Sequence, residues 1–276
     1  PFCAVPFQTA SSVKQHPHIM PHIRLTVLGC GSSSGTPAIG CTCPVCTSPH
    51  PKNRRSRCSA WLDIGGQGWQ IDTGPDFRSQ ALREQLPRID GVLYTHPHAD
   101  HLNGIDDLRG FCYKQQGSIP IYGSAATLAN ISERFDYAFF PPGSHWNRPV
   151  LEARPLTNGL TLNGAPLQHF QMPHGHWHTT AYRIADIAWL TDINHITRAQ
   201  IAALQGLDHL FIDCLSPRPY PSHLSFDQAC DYAEQIGARH TWLIHMTHAL
   251  GYEELLATCP PGIAPAYDGL TVDSSY

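Results

Sequence analysis

Apolar positions along this chain switch between two spacings, and the switches divide it into alternating strands and helices. Runs that alternate or follow one another over a few residues predict strands at Arg24–Leu28, Ala60–Asp63, Trp69–Asp72, Gly91–Tyr94, Ile119–Tyr122 and Leu160–Leu162. Further strands are expected at Leu167–Met172, Ala181–Ile184, Ile187–Leu190, His209–Asp213, Thr241–Ile244 and Leu270–Val272. Wider spacing predicts helices at Phe77–Gln85, Asn103–Lys114, Ala125–Tyr137, Thr197–Leu204, Ser225–Ile236 and Glu253–Thr258. Strands clustered toward both ends, with helices among them, imply an α/β (α+β) domain of two packed sheets sandwiched by helices.

Several of the predicted strands end in residues that bind metals. Gly91, Val92, Leu93 and Tyr94 run into Thr-His-Pro-His-Ala-Asp-His at 95–101. On an extended backbone His96, His98 and Asp100 would face one side, and Asp100 and His101, as neighbours, would diverge toward different cations. Downstream, the strand at Leu167–Met172 leads into His174, the one at Ile187–Leu190 into Asp192, and the one at Thr241–Ile244 into His245. Ligands gathered at the carboxyl ends of neighbouring strands would explain all three. Imidazole with carboxylate suits zinc, and also manganese, iron or nickel, so residue type leaves the metal open.

The stretch His96, His98, Asp100, His101 resembles the signature of the metallo-β-lactamase superfamily, whose four-layer αββα sandwich is then the expected fold. The resemblance implies that His96, His98 and His174 hold one metal, that Asp100, His101 and His245 hold a second, and that Asp192 bridges them. Two cations about 3.5–4 Å apart turn a shared water into a bridging hydroxide near neutral pH, so the implied chemistry is hydrolysis. Redox relatives carry glutamate in place of the second histidine; His98 keeps the hydrolase form.

A cluster of thiols narrows the family. Cys41, Cys43 and Cys46 need a fourth ligand to close a tetrahedral structural zinc site, and His248, three residues after His245, is the candidate. Together with Leu-Gly-Cys-Gly-Ser-Ser-Ser-Gly-Thr-Pro at 28–37, Asn-Arg-Arg-Ser-Arg-Cys-Ser at 53–59, Ile-Asp-Thr-Gly-Pro-Asp at 71–76 and Tyr-Asp-Gly at 267–269, this pattern resembles the PhnP group of phosphodiesterases. The resemblance implies a small phosphodiester substrate, including cyclic ribose phosphates. The bridging hydroxide would attack phosphorus while Asp100 contributes to the catalytic centre. His223, in Pro-Ser-His-Leu-Ser-Phe-Asp, matches the position of a catalytic histidine in PhnP-like and tRNA-processing relatives and would act as general acid. Arg109, Arg218 and Tyr220 are candidate substrate contacts from their loop positions, although Arg109 could equally pair with Asp106 across a helical turn.

Composition trims the alternatives. A formal net charge of -4 and 14% charged residues give no basic balance for nucleic acid, which is not expected as a partner. The dense basic run Lys52, Asn53, Arg54, Arg55, Ser56, Arg57 reads as a solvated or internally paired loop. That argues against a tRNA 3′-end nuclease, which shares the metal set. A thioesterase or lactonase on the same fold, and a non-catalytic cofactor-assembly protein like the pyrroloquinoline-quinone pathway member, stay as alternatives. Cys30, Cys58, Cys112, Cys214 and Cys230 lie in or beside apolar or helical segments as small core fillers, and Cys214 is near enough to the site to line it. Ten cysteines without an obvious disulfide framework, no membrane span and no signal-like start suit a reducing cytoplasm, with a homodimer left open. Pro1–Ile19 reads as a mobile extension preceding a single domain from Met20 to Tyr276, and Pro141–Pro149 as a connecting loop at the rim.

Overall fold

The computed structural model describes residues 22–141 and 148–275. The expected extension at Pro1–Ile19 and most of the loop at Pro141–Pro149 fall outside them. In chain order the first strands are β1 (His22–Gly29), β2 (Ser59–Ile64), β3 (Gln67–Ile71), β4 (Gly91–Leu93), β5 (Ile119–Gly123) and β6 (Leu151–Pro155). A second set follows: β7 (Thr161–Leu162), β8 (Ala165–His174), β9 (Trp177–Ile184), β10 (Ile187–Leu190), β11 (His209–Asp213), β12 (His240–Ile244) and β13 (Ile263–Pro265). The last strand, β14 (Thr271–Ser275), returns to pair antiparallel with β1, so each set forms one seven-stranded mixed sheet. The helices are α1 (Pro44–Thr47), α2 (Phe77–Arg83), α3 (Ala99–Leu102), α4 (Arg109–Gln115), α5 (Ala125–Arg134), α6 (Arg198–Ala203), α7 (Phe226–Ile236) and α8 (Tyr252–Thr258).

Alternation along the strands separates two apolar layers. In β2, Ala60, Leu62 and Ile64 join a large core shared with β8 to β12, while Trp61 points into a smaller one with Phe77, Leu102, Leu128 and Ile131 from α2, α3 and α5. β4 divides likewise, with Leu93 in the first and Val92 in the second. On the far side of the second sheet, Ala229, Ala233 and Ile236 recur at helical spacing on α7 and complete the large core. A reciprocal capping box of Ser225 and Gln228 starts that helix and Gly237, at φ 67°, ends it. Two sheets face to face with helices outside are the expected αββα sandwich.

Three elements differ from the sequence reading. The helix expected over Asn103–Lys114 is a 3-10 turn at Ile105–Leu108 followed by α4, and a separate short helix, α3, precedes it. The break falls at Gly104, whose N–H donates to the Thr73 carbonyl and where a Cβ would lie 2.1 Å from the Gly74 carbonyl oxygen. Asp100 and His101, expected on extended backbone, sit instead in the first turn of α3, which begins straight after the extended His98. Strands β6 and β13 went unpredicted because both lie at sheet edges: the first is exposed over four of its five positions and carries Arg154 and Pro155, and the second ends in Pro265. Among the described residues no helix is long and apolar enough to cross a membrane.

The turn after β3 is packed hard against α3. A Cβ on Gly74 would stand 2.0 Å from the Asp100 carbonyl oxygen, so Gly74→Ala must move the backbone that carries Asp100 and His101. It is expected to lower stability by about 1–3 kcal/mol and to weaken metal retention. Gly110→Ala is the control, because open space surrounds that position in α4, and thermal unfolding should find it neutral or up to about 1 kcal/mol more stable.

Candidate metal centre

Most of the expected ligands lie at the ends of strands or just beyond. β3 and β4 are parallel neighbours in one sheet, β10, β11 and β12 in the other, and their carboxyl ends deliver Asp72, His96, Asp192, Asp213 and His245 to one buried cleft. His174 is the last residue of β8, before the hairpin into β9. Asp72, Asp192 and His245 all adopt left-handed backbone, with φ of 56°, 56° and 58°. That conformation is uncommon outside glycine, although Asp and His visit it more often than most, and here it turns each side chain off the strand direction.

Potential ligand atoms fall into two adjoining groups. Those of His96, His98 and His174 lie within 4.8 Å of one another, as do those of Asp100, His101, Asp192 and His245. Asp192 stands between the groups: its Oδ1 is 3.1 Å from His101 Nε2, and its Oδ2 is 3.4 Å from His245 Nε2 and 3.8 Å from both His96 Nε2 and His174 Nε2. All seven residues are therefore brought together in the partition expected. One detail is corrected. Asp100 and His101 do not diverge to different groups, because the helical turn of α3 sets Asp100 Oδ2 3.3 Å from His101 Nε2.

Three of the imidazoles, those of His101, His174 and His96, are aimed by their other nitrogen. His101 Nδ1 lies 2.7 Å from Asp72 Oδ2, His174 Nδ1 donates to the Ser222 carbonyl at 2.8 Å, and His96 Nδ1 is 3.0 Å from Thr95 Oγ1. Asp72 is itself fixed by the Thr95 N–H at 2.8 Å and hydroxyl at 2.7 Å. In the carboxylate-containing group, His101 Nε2 and both ring nitrogens of His245 are buried without hydrogen-bond partners, while His96 Nε2 lies 2.9 Å from His98 Nδ1. Buried polar atoms are rarely left so. Orphaned imidazole nitrogens opposite carboxylate oxygens fit divalent cations as the missing partners.

The local field agrees. Burial pushes His96, His98 and His174 below the usual imidazole range, so they are neutral and able to offer a lone pair. Burial alone would raise Asp192, but the surrounding imidazoles, His245 and His101 foremost, hold its carboxyl well below the ordinary range.

His223 joins this centre. Its Nδ1 lies 2.8 Å from Asp213 Oδ2, its Nε2 4.0 Å from Asp192 Oδ2, and its ring stacks on that of His245 at 4.8 Å between centroids. Asp213 also accepts the Ile193 N–H at 2.9 Å, which ties His223 to the loop carrying Asp192. Neither Asp72 nor Asp213 was singled out from sequence. The available signal was weak: each is an aspartate closing an apolar strand, and Asp72 falls in the Ile-Asp-Thr-Gly-Pro-Asp motif.

The thiol group assembles as expected, with ligand atoms of Cys41, Cys43, Cys46 and His248 within 4.8 Å of one another. His248 Nδ1 is 3.4 Å from Cys41 Sγ and 3.3 Å from Cys43 Sγ, and this contact draws the Cys43 thiol down to about 6. The basic run beside it is internally used. Arg55 is buried and donates to the Leu250 carbonyl, to the Thr247 carbonyl at 3.2 Å and to Asn53 Oδ1 at 3.3 Å, bracing the loop that bears His248. Arg57 pairs with Asp76 at 3.1 Å, and the Lys52 ammonium sits over the rings of Tyr252 and Tyr267.

The proposed substrate contacts fare differently. Arg109 pairs with Asp106 at 3.3 Å on its own turn and, among the described residues, does not touch the histidine-carboxylate centre. Tyr220 is exposed on the rim with its ring 6.0 Å from that of His223. Arg218 is an exposed residue of the same loop, where its backbone N–H donates to Ser216 Oγ. Cys214 is wholly buried in the large core. Cys30, Cys58 and Cys112 are likewise buried, while Cys230 is half-buried.

The model of a family described as the beta-lactamase superfamily domain matches residues 70–246, the stretch that holds every ligand of the two groups. A solved structure described as a new diphosphatase from the PhnP family is 37% identical, with a TM-score of 0.86 over 92% of this chain and 97% of that one. The chain belongs to the metallo-β-lactamase superfamily, within its PhnP group. It is a metal-dependent hydrolase domain by class. An octanoyltransferase of Porphyromonas gingivalis is 36% identical over 256 residues, 90% of this chain and 51% of that protein. Coenzyme PQQ synthesis protein B of Methylobacterium radiotolerans is 32% identical over 142 residues, 46% of each. This superfamily chain thus spans about half the length of the curated relatives it matches.

Two substitutions separate the groups. Asp72→Asn frees the ring of His101 and should weaken the metal held by the carboxylate-containing group by roughly 10–100-fold, measured by metal titration. Cys43→Ser should instead remove one equivalent of zinc by elemental analysis and lower the unfolding temperature. Loss of no metal in either variant would contradict the assignments.

Proposed function

We propose that this domain hydrolyses a small phosphoric diester or diphosphate, with His223 as the general acid. The observation that carries the reading is the Asp213–His223 pair set beside the metal ligands. When bound, the divalent cations would supply Lewis acidity toward phosphoryl oxygens and a lowered pKa for a coordinated water. His96, His98, His174 and Asp192 would hold one, and Asp100, His101, His245 and Asp192 the other.

The chain's own groups account for orientation and proton transfer. Asp213 accepts the Nδ1 hydrogen of His223, which fixes the ring and leaves Nε2 directed at the cleft near Asp192. Held at Nδ1 by Asp213, the ring can deliver an Nε2 proton to a departing alkoxide or phosphate oxygen. The 37% identical PhnP-family diphosphatase supports phosphorus as the reacting atom. The use of Arg55, Arg57 and Lys52 within the protein supports a small substrate over a long polyanion, since those cations are the ones a nuclease would present.

Metal-reconstituted protein should hydrolyse bis-p-nitrophenyl phosphate, a cyclic ribose phosphate or a diphosphate diester, and leave thioesters and lactones intact. His223→Ala should retain its metals and lose roughly 10²–10⁴-fold in kcat on esters with alkyl leaving groups. Its loss should be much smaller on p-nitrophenyl esters, whose leaving group departs without a proton. Equal loss on both would remove the acid role, and thioester turnover without phosphodiester turnover would replace the reading altogether.

A further inference from the structure

A second cavity opens beside the three-histidine group, and nothing in the reaction described above uses it. It encloses about 430 Å³, within the size range of small-molecule clefts, and is lined by Pro97, Thr127, Asn130, Gln171, Trp177 and His178 among others. Pro97 lies between the ligands His96 and His98, so the cavity adjoins the metal centre directly. Its most unusual member is Trp177. This residue opens β9 at the tip of the hairpin that begins after His174, and 57% of its surface is exposed. Its ring stands 5.6 Å from that of His98 at 71°, edge against face.

A large indole at a hairpin tip has no core to enter, and leaving it in water forgoes the benefit of burial. Here one edge of it is braced by a metal-binding histidine while the cavity beside it stays open. Asn130, Gln171 and His178 line the same space, and Asn130 Oδ1 also accepts from Arg134 at 3.3 Å. A flat π-surface with hydrogen-bonding groups around it is the chemistry that holds a heterocyclic ring, by stacking on its face and polar contact at its edge.

The two sides of the centre are occupied differently. His223 stacks on His245, Trp177 packs on His98, and His174 lies between, 4.8 Å from the ring of His223 and 5.2 Å from that of His98. Resting on the phosphodiesterase reading, we propose that the substituent retained on phosphorus is a nucleoside, its base stacked on Trp177 and edged by Asn130, Gln171 and His178, while the leaving oxygen faces His223.

The test compares two esters with the same leaving group, a nucleoside 5′-(p-nitrophenyl phosphate) and methyl p-nitrophenyl phosphate. For metal-loaded Trp177→Ala the ratio of kcat/KM values, nucleoside over methyl, should fall roughly tenfold, and Trp177→Phe should recover most of it, as base-aromatic stacking predicts. Taking the ratio removes any general effect of the substitution on the metal beside His98. An unchanged ratio overturns the proposal, as does a fall that Phe leaves uncorrected. If wild-type protein cleaves neither ester, the phosphodiesterase reading is the one that fails, and the cavity is then read by binding. AMP should quench tryptophan fluorescence of the wild type and much less that of Trp177→Phe; equal quenching, or none, overturns the stacking role.

Discussion

The carboxylate of Asp192, buried amid imidazoles, is the constraint around which the rest of this molecule is arranged. A carboxylate in a site with almost no water is costly unless opposite charge and hydrogen bonds surround it. Here Thr191 Oγ1 donates to it at 2.6 Å, and His96, His101, His174, His223 and His245 each present Nε2 within 4.0 Å. These rings arrive from both sheets. The separation of strand ends, the left-handed turns at Asp72, Asp192 and His245, and the missing Cβ at Gly74 are the means by which side chains remote in sequence reach one carboxylate.

The thiol group bears on the same centre through the backbone. His245 and His248 are three residues apart, and the segment joining them is stitched on both sides: Met246 bonds backbone to backbone with Cys30 and Ser32, and Thr247 with Leu215. Arg55 grips the carbonyls at its far end. A zinc held by Cys41, Cys43, Cys46 and His248 would therefore anchor the strand-end loop that presents His245, with its strained φ, to the catalytic side. The thiol group and the histidine-carboxylate group share one loop, so order in the first constrains the position of His245 in the second.

Much of this could be read from sequence because the evidence was local. An apolar run followed by His96, Pro97, His98, Ala99, Asp100 and His101 is unambiguous at short range, and Cys41, Cys43 and Cys46 sit close enough to be recognised as a cluster. His174, Asp192 and His245 each needed only a strand and the residue beyond it. What escaped depended on distance. The role of Asp213 is defined by His223 and that of Asp72 by His101, and an isolated aspartate at a strand end looks the same whether it caps, turns or orients. The helix break at Gly104 follows from the approach of Gly74, which no spacing along the chain reports. Arg55 belongs to a run that reads as either solvated or internally paired, and spacing could not choose between these because its partners are carbonyls of a loop some two hundred residues away.

The superfamily fold does not choose a substrate. What stands next to the ligands separates the chemistries better than the ligands do. A thiolate leaves with a pKa near ~8.5 and needs no proton at departure, whereas an alkoxide, with a conjugate acid as weak as water at about 15.7, does. Asp213 is buried with one of its carboxylate oxygens unpaired, and the other is committed to His223 and Ile193. A carboxylate that holds a histidine beside the ligands suits a reaction in which a proton must reach a poor oxygen leaving group.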